Sequence, residues 1–148
     1  MSSWIGELLR TEYKDGRKAV FVYATDIQCN IMNYRAGHEP NNRRYTEVHF
    51  LITAYDGKDS EAGARRQGVR EQHIEDAKQL FKDRKLLYAA AILDDAGNMI
   101  GSTLIVDFPS KEAILSQWLD NEIYVTANVW HEIDIKPCRV PDFILDKI

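Results

Sequence analysis

The chain has 148 residues, of which 45% are hydrophobic and 28% are charged, and its net charge at pH 7 is −4. This length and composition are typical of one globular domain with a core, while an acidic chain without a cluster of Lys and Arg argues against a nucleic-acid partner. No apolar run approaches the roughly 18 residues needed to cross a membrane, so we expect no membrane association.

Residues 1–46 differ in pattern from the rest of the chain. Residues 4–13 carry apolar side chains at helical spacing, and residues 19–24 are β-branched and aromatic, which predicts a helix followed by a strand. Residues 38–44 are polar and contain a proline, as a linker does. We therefore predict an N-terminal extension over residues 1–46, a domain over residues 47–139 and a tail over residues 140–148.

The domain begins with a strand that leads into a helix. Residues 46–55 place large side chains on both faces, which predicts a strand covered on both sides. Gly63 and Gly68 argue against a helix starting at residue 61, since an interior glycine costs about 1 kcal/mol relative to alanine. The helix is therefore expected over residues 69–84. Its predicted inner stripe consists of Val69, His73, Ala77, Leu80 and Phe81.

The second half of the domain repeats a similar order. Residues 86–93 and 100–108 read as two strands joined by a hairpin turn, and Ser110 is a good N-cap for a second helix. We expect a loop over residues 120–126 and a last strand over residues 128–136. The order predicts an α+β, ferredoxin-like βαββαβ domain with a four-stranded antiparallel sheet. Two helices cover one face of such a sheet, so a second subunit or residues 1–46 must cover the other.

Several short motifs within residues 47–139 resemble the YciI-like (YCII-related) proteins of the dimeric α/β-barrel superfamily. They are VREQH at 69–73, RKLL at 84–87, GSTLIV at 101–106, YV at 124–125, VW at 129–130 and IKP at 135–137. The resemblance implies a domain that pairs sheet to sheet as a homodimer, with a small cleft holding a histidine and an aspartate. Most such proteins have no assigned reaction. At least one looks like an enzyme that removes chloride from a chlorinated hydroxyquinone, and related barrels include muconolactone isomerases.

The resemblance also implies candidate site residues. The histidine of the family falls on His73, its acid at the end of the first strand on Asp56, and its arginines, glycine and serine on Arg66, Arg70, Gly101 and Ser102. One motif departs, because the family's Asp-Pro-Tyr before the last strand reads Glu122-Ile123-Tyr124 here. The acid is kept as glutamate, with a longer side chain and without the proline.

Each candidate also has a plain structural alternative. His73 can be a core histidine with one hydrogen bond, and Asp56 can cap the turn at Gly57. Arg66 and Arg70 can hold an anion near a helix N-terminus or pair with surface glutamates. Likewise, Ser102 can bond only to its neighbouring strand, and Glu122 can be a solvated loop residue. A metal site from His49, His131 and Glu132 lacks a known spacing, so we expect no metal.

The enzyme hypothesis gives these residues roles. His73, oriented by Asp56, acts as general acid or base on a small anionic or aromatic molecule, because a carboxylate on one ring nitrogen leaves the other free. Arg66 and Arg70 hold the anion, and Ser102 and Glu122 help to orient it. The expected reaction is an isomerisation or an elimination without a cofactor. The alternative is a non-catalytic ligand-binding or dimerisation module.

Cysteine content bears on location. Cys29 and Cys138 are isolated and show no C-x-x-C spacing, which fits a reducing compartment better than a disulfide framework. The first ten residues include Glu7 and no long apolar segment, so they do not resemble a secretory signal. We therefore expect a cytoplasmic protein.

Overall fold

The computed structural model describes residues 45–148 and, before them, the backbone of two short strands, β1 (Leu8–Leu9) and β2 (Phe21–Tyr23). The strand expected over residues 19–24 is found at β2. The helix expected over residues 4–13 is wrong for Leu8–Leu9, because these residues form the strand β1, which pairs antiparallel with β2. Pairing with a neighbouring strand overrides a local helical pattern of this kind. The remaining predictions for residues 1–44, including the linker over 38–44, lie outside the described residues.

In the part of the chain that the structure describes, six strands form one sheet in the order β1-β2-β6-β3-β5-β4. The central strand β3 (His49–Asp56) is antiparallel to β5 (Met99–Val106) and β6 (Trp130–Cys138), and β4 (Leu86–Leu93) forms the edge beyond β5. These four strands are the antiparallel sheet of a ferredoxin-like fold, so the predicted fold class is confirmed. The strand β2 extends the sheet by pairing parallel with β6.

Helix α1 (Ala62–Lys82) begins before the residue that the sequence indicated. A methyl group built on Gly63 or Gly68 meets no atom within 4 Å outside the local helix backbone, so neither glycine marks a break or a close approach. The helix persists through both because Arg66 and His73 are buried and tie its first half to the sheet. Tertiary contacts of this kind outweigh about 1 kcal/mol per glycine.

The inner stripe of α1 was predicted correctly except at its end. His73 is buried, and Val69, Ala77 and Leu80 pack against the core. Phe81, however, is 52% exposed. At 3.6 residues per turn, Phe81 lies roughly 80° around the helix from His73, which takes it off the buried face.

Helix α2 (Lys111–Gln117) starts as predicted, because the Ser110 side chain accepts a hydrogen bond from the Ala113 backbone N–H at 3.2 Å. The loop expected over residues 120–126 is instead a 3₁₀ turn at Leu119–Asn121 followed by helix α3 (Ile123–Thr126).

The end of the chain also differs in detail from the prediction. Asn128 has a φ of 56°, which no strand residue adopts, so β6 begins only at Trp130 and continues through Pro137. A short helix, α4 (Asp142–Leu145), lies in the predicted tail.

Within the described ranges, the helices cover one face of the sheet and leave the other open, so the cover predicted for both sides of β3 is present on the helix side alone. The face beneath the helices carries the core, including Ile52, Leu104 and Ile133. On the opposite face, Tyr55 is 40% exposed and Tyr88 is 58% exposed. Among the described residues, no helix combines the length and apolar character needed to cross a membrane.

Candidate active site

The site lies where one end of the sheet meets the first half of α1. The strand β3 ends at Asp56, and α1 returns over the sheet with its buried residues Arg66 and His73 facing inward. Next to them, β5 contributes Ser102, and the N-terminus of α3 contributes Glu122. The backbone therefore gathers five of the six predicted site residues into one buried region, and the sixth, Arg70, is half-buried on the adjacent turn of α1.

Asp56 is paired with Arg66. Nη1 of Arg66 donates to Oδ1 of Asp56 at 2.7 Å and to Oδ2 at 2.9 Å, while Nη2 donates to the Ser102 hydroxyl at 2.8 Å and to the Gly101 carbonyl at 3.1 Å. Burial raises the pKa of Asp56, and the hydrogen bond and charge of Arg66 oppose that rise. The prediction that Asp56 orients His73 is therefore wrong in its geometry, because the guanidinium takes both carboxylate oxygens.

His73 is paired with Glu122 instead. Its Nδ1 lies 2.7 Å from Oε1 of Glu122, and the glutamate is 3% exposed. The same oxygen accepts from the backbone N–H of Tyr124 at 3.3 Å, and Oε2 accepts from the indole N–H of Trp118 at 2.9 Å. Glu122 is therefore not a solvated loop residue, and it contacts the imidazole instead of only lining the substrate position that was predicted for it. It is the acid that faces the imidazole, at the position where the YciI-like pattern has its aspartate.

Aromatic rings enclose the imidazole. The ring of Tyr124 stacks on His73 with centroids 3.8 Å apart and planes 11° apart, and Trp130 meets His73 edge-on at 5.6 Å. On Tyr124, the guanidinium carbon of Arg66 lies 4.8 Å from the ring centroid. Burial raises the pKa of the Tyr124 hydroxyl, with Arg66 and Arg70 opposing. From the sequence, Tyr124 and Trp130 are expected to form pocket wall or dimer core and not to take part in chemistry, and both rings contact His73.

One nitrogen of the imidazole remains unpaired in the described part of the chain. Nδ1 is taken by Glu122, whereas Nε2 makes no hydrogen bond with residues 45–148, and 11% of the side chain is exposed. Arg70 likewise has no hydrogen bond or ion pair with any residue that the structure describes, so the predicted surface pairing with glutamates is not observed for it. An imidazole nitrogen and a guanidinium that have no partner among residues 45–148, on successive turns of α1, are groups that can act on or hold a small molecule.

The described residues contain no group of three His, Cys, Asp or Glu side chains arranged to hold a metal ion. His49 begins β3 and pairs with Cys138, whereas His131 lies at the other end of that strand pair, next to Asp56. The two histidines therefore lie too far apart to share an ion. The chemistry that the described arrangement supports is proton transfer by an imidazole–carboxylate pair.

Comparison with known proteins gives a family and a fold. The model of the YCII-related domain matches residues 48–139. Protein YciI of Escherichia coli O6:H1 is 34% identical over 96 residues, which is 61% of this chain and 95% of that protein. An uncharacterized protein of Haemophilus influenzae is 34% identical over 81 residues, which is 51% of this chain and 82% of that protein.

Among solved structures, a 5-chloro-2-hydroxyhydroquinone dehydrochlorinase from Burkholderia phenoliruptrix, in complex with 2,5-dihydroxybenzoquinone, has a similar fold. The TM-score is 0.53 at 19% identity, and the match covers 64% of this chain and 97% of that one. At this level of identity the likeness shows the fold.

Proposed function

The chain belongs to the YCII-related family, and from that premise we propose that it is a small-molecule enzyme in which His73 and Glu122 carry out general acid–base chemistry. The observation that supports this most directly is the contact between Nδ1 of His73 and Oε1 of Glu122, at 2.7 Å in a buried setting. A carboxylate in this position fixes the imidazole tautomer and stabilises the imidazolium that forms when the ring takes a proton.

The proton would enter and leave at Nε2. When Nδ1–H donates to Glu122, the lone pair of the neutral ring lies on Nε2. That nitrogen abstracts a proton from a carbon next to a carbonyl group or from a phenol hydroxyl, and the electron pair left behind either shifts to another carbon or expels a leaving group, in which case the proton passes from the ring to solvent. Returning the proton at another carbon completes an isomerisation, whereas loss of the leaving group completes an elimination. Neither route requires a cofactor.

The proposed substrate is small and anionic or aromatic. Arg70 is the best placed group to hold an anion, because Arg66 and Ser102 bond to each other and Arg66 also holds Asp56. The rings of Tyr124 and Trp130, which meet edge to face with centroids 5.4 Å apart and planes 80° apart, form an aromatic wall next to the imidazole that suits an aromatic molecule. The dehydrochlorinase with a similar fold is crystallised with a dihydroxybenzoquinone, a flat molecule of this class, which supports the choice.

The test compares purified wild type with His73→Gln on 5-chloro-2-hydroxyhydroquinone and on a panel of small unsaturated lactones. Chloride release and absorbance report elimination and isomerisation. We expect turnover by wild type and a loss of about 100-fold or more in His73→Gln, since general acid–base catalysis contributes about 10²–10⁴-fold. His49→Gln is the matched control, because His49 lies at the opposite end of β3 from Asp56. Equal turnover by wild type and His73→Gln would exclude the proposed role.

A second candidate function is a non-catalytic ligand-binding module. It is favoured by the depth of the site, where His73 is 8% exposed and Glu122 is 3% exposed. In that case 2,5-dihydroxybenzoquinone binds to wild type in a calorimetric titration and His73→Gln changes its Kd, while wild type turns over nothing in the panel. The two functions therefore differ in whether a rate accompanies binding.

The open face of the sheet supports a homodimer as the working form. Register places Leu51, Tyr55, Tyr88 and Ile105 on this face, and it is the face that the helices leave uncovered. Sedimentation velocity should give twice the monomer mass for wild type and a shift towards monomer for Tyr88→Glu, which places a charge in the apolar interface. The control Phe143→Glu adds the same charge at an exposed residue of α4 and should stay dimeric. A wild-type monomer would remove this proposal.

We also propose a cytoplasmic location. Cys138 is a free thiol, and an isolated thiol is typical of reducing compartments. Cell fractionation followed by detection of the chain tests this, and recovery in an extracytoplasmic fraction would contradict it.

A further inference from the structure

We infer that Trp118 is a positioning residue for His73, acting through Glu122. The indole N–H of Trp118 donates to Oε2 of Glu122 at 2.9 Å, and Oε1 of the same carboxylate faces the imidazole at 2.7 Å. Among the described residues Trp118 makes no ring contact with His73, so its influence passes only through the carboxylate. The inference rests on the proposed function for its catalytic meaning, but its geometric content can be tested without turnover.

The indole itself is held firmly. Trp118 is 6% exposed and lies at the C-terminal end of α2, where its backbone N–H donates to the Ile114 carbonyl at 3.2 Å. Its carbonyl accepts from the Asn121 N–H at 2.9 Å, and its ring stacks on Phe108 with centroids 6.2 Å apart and planes 14° apart. Backbone bonds and stacking together set the direction in which the N–H points.

Glu122 requires such a partner more than a shorter acid would. A glutamate has one more rotatable bond than the aspartate of the family pattern, and here it lacks the proline that follows that aspartate. Its Oε1 is shared by His73 and the Tyr124 N–H, whereas Oε2 accepts only from Trp118 among the described residues. Removing the indole N–H leaves a buried oxygen without a partner, and rotation of the carboxylate towards another donor would withdraw Oε1 from the ring.

A chain of three groups follows. The indole orients the carboxylate, the carboxylate holds Nδ1–H, and the ring is thereby kept in the tautomer with a lone pair at Nε2. In metal sites, mutation of a residue that orients a histidine ligand lowers metal affinity or activity by roughly 10- to 100-fold. The same physical reason, a fixed ring orientation, applies to an acid–base pair. We expect a loss of that order in kcat for Trp118→Phe, with KM little changed, because the substrate does not touch the indole.

The experiment is nitrogen-15 NMR of the histidine rings in the full chain. Wild type should show His73 as the single Nδ1–H tautomer, and Trp118→Phe should show a mixture or the opposite tautomer. The control Trp130→Phe makes the same change from indole to phenyl, at a ring that meets His73 edge-on. The Nε1 of Trp130 has no hydrogen-bond partner among the described residues, so this variant should keep the wild-type tautomer. An unchanged Nδ1–H tautomer in folded Trp118→Phe overturns the inference.

A second measurement avoids the risk that Trp118→Phe fails to fold. In wild type the indole N–H of Trp118 should exchange slowly with solvent, and Glu122→Gln should shift its resonance while that of Trp130 moves less. Equal shifts at both tryptophans, or none at Trp118, count against the inference. If the tautomer responds as expected but no compound is turned over, the positioning role stands and the proposed function fails, so the two outcomes remain distinct.

Discussion

Arg66 and Asp56 form a buried ion pair in which Nη1 lies 2.7 Å and 2.9 Å from the two carboxylate oxygens. Their side chains are 6% and 5% exposed. The other terminal nitrogen of Arg66 reaches Ser102 and the Gly101 carbonyl, so one guanidinium joins the end of β3, the start of α1 and the middle of β5. The guanidinium of Arg66 also lies against the ring of Tyr124, which stacks on His73, so the ion pair supports one side of that stack.

Replacing Arg66 with methionine should destabilise the fold strongly. The change leaves the Asp56 carboxylate buried without a cation, and breaking a buried pair in this way costs about 3–5 kcal/mol. Urea unfolding followed by circular dichroism measures the loss. Arg65→Met is the matched control, because Arg65 pairs with the more exposed Asp59 and should lose less.

A second substitution checks the cause of that loss. Combining Arg66→Met with Asp56→Leu removes both charges, so the double variant should be more stable than Arg66→Met alone. Equal stability of the single and double variants would mean that the loss arises from packing and not from the unpaired carboxylate.

Two glycine-to-alanine substitutions should act in opposite directions. Gly68→Ala adds a methyl group that meets no atom within 4 Å outside the local helix backbone, so helix propensity should raise the unfolding free energy by about 1 kcal/mol. Gly101→Ala places its methyl group against the Ala54 carbonyl oxygen of the neighbouring strand, and crowding of this kind costs about 1–3 kcal/mol. Thermal unfolding of both variants measures the two changes in stability. A destabilised Gly68→Ala would show that α1 needs glycine there for a reason that its open surroundings do not reveal.

His49 should make the C-terminal segment sensitive to pH. Its side chain is buried, and Nδ1 accepts a hydrogen bond from the Val140 N–H at 3.2 Å. Burial lowers the pKa of His49 from 6.5, the charge of Arg139 lowers it further, and Asp107 opposes them. The unfolded chain therefore binds more protons between the folded pKa and 6.5, so stability falls as the pH drops below 6.5.

The measurement is the unfolding free energy at about pH 7.5 and about pH 5.5 for wild type and His49→Gln, with hydrogen exchange of the Val140 amide in parallel. Glutamine does not titrate, so its curve should be flatter over this interval. Protonated His49 can no longer accept at Nδ1, so the protection factor of the Val140 amide, which is the intrinsic exchange rate divided by the observed rate at the same pH, should fall at the lower pH in wild type alone. Parallel slopes in the two proteins would contradict the role given to His49.

The order of strands and helices could be predicted because each element carries its own periodicity. The run of large side chains in β3 and the Ser110 cap before α2 are local signals, and the strand and the helix start that they predicted are confirmed. The early start of α1 could not be predicted, since it depends on Arg66 and His73 being buried by distant strands. The helix at Ile123–Thr126 was missed for a similar reason, because it is capped by Glu122, whose position depends on the tertiary fold.

The sequence predicted which residues lie in the site better than it predicted which acid contacts His73. Asp56 lies in the same supersecondary unit as His73, and proximity along the chain favoured it as the partner. Glu122 is 49 positions from His73 in the sequence, and only the turn between α2 and α3 brings it to the ring. The conformation of that turn decides which acid contacts the imidazole, and the spacing of residues in the sequence does not predict this conformation. The departure from Asp-Pro-Tyr was a visible signal, because an acid kept at that position in spite of the change argues for a role.

Arg70 should determine the affinity for an anionic ligand. It is half-buried, its charge opposes the burial-driven rise in the pKa of Tyr124, and it has no ion-pair partner in residues 45–148, whereas Arg66 is occupied by Asp56. Arg70→Met keeps most of the side-chain volume and removes the charge, so the Kd for 2,5-dihydroxybenzoquinone should rise by about 10-fold or more, since hydrogen bonds to charged groups contribute about 1.5–3 kcal/mol. Calorimetric titration measures this, and Lys78→Met, which removes an exposed charge further along α1, should bind as wild type does. An unchanged Kd in Arg70→Met would move the anion site away from this turn of the helix, because no other change to the site accompanies the loss of that charge.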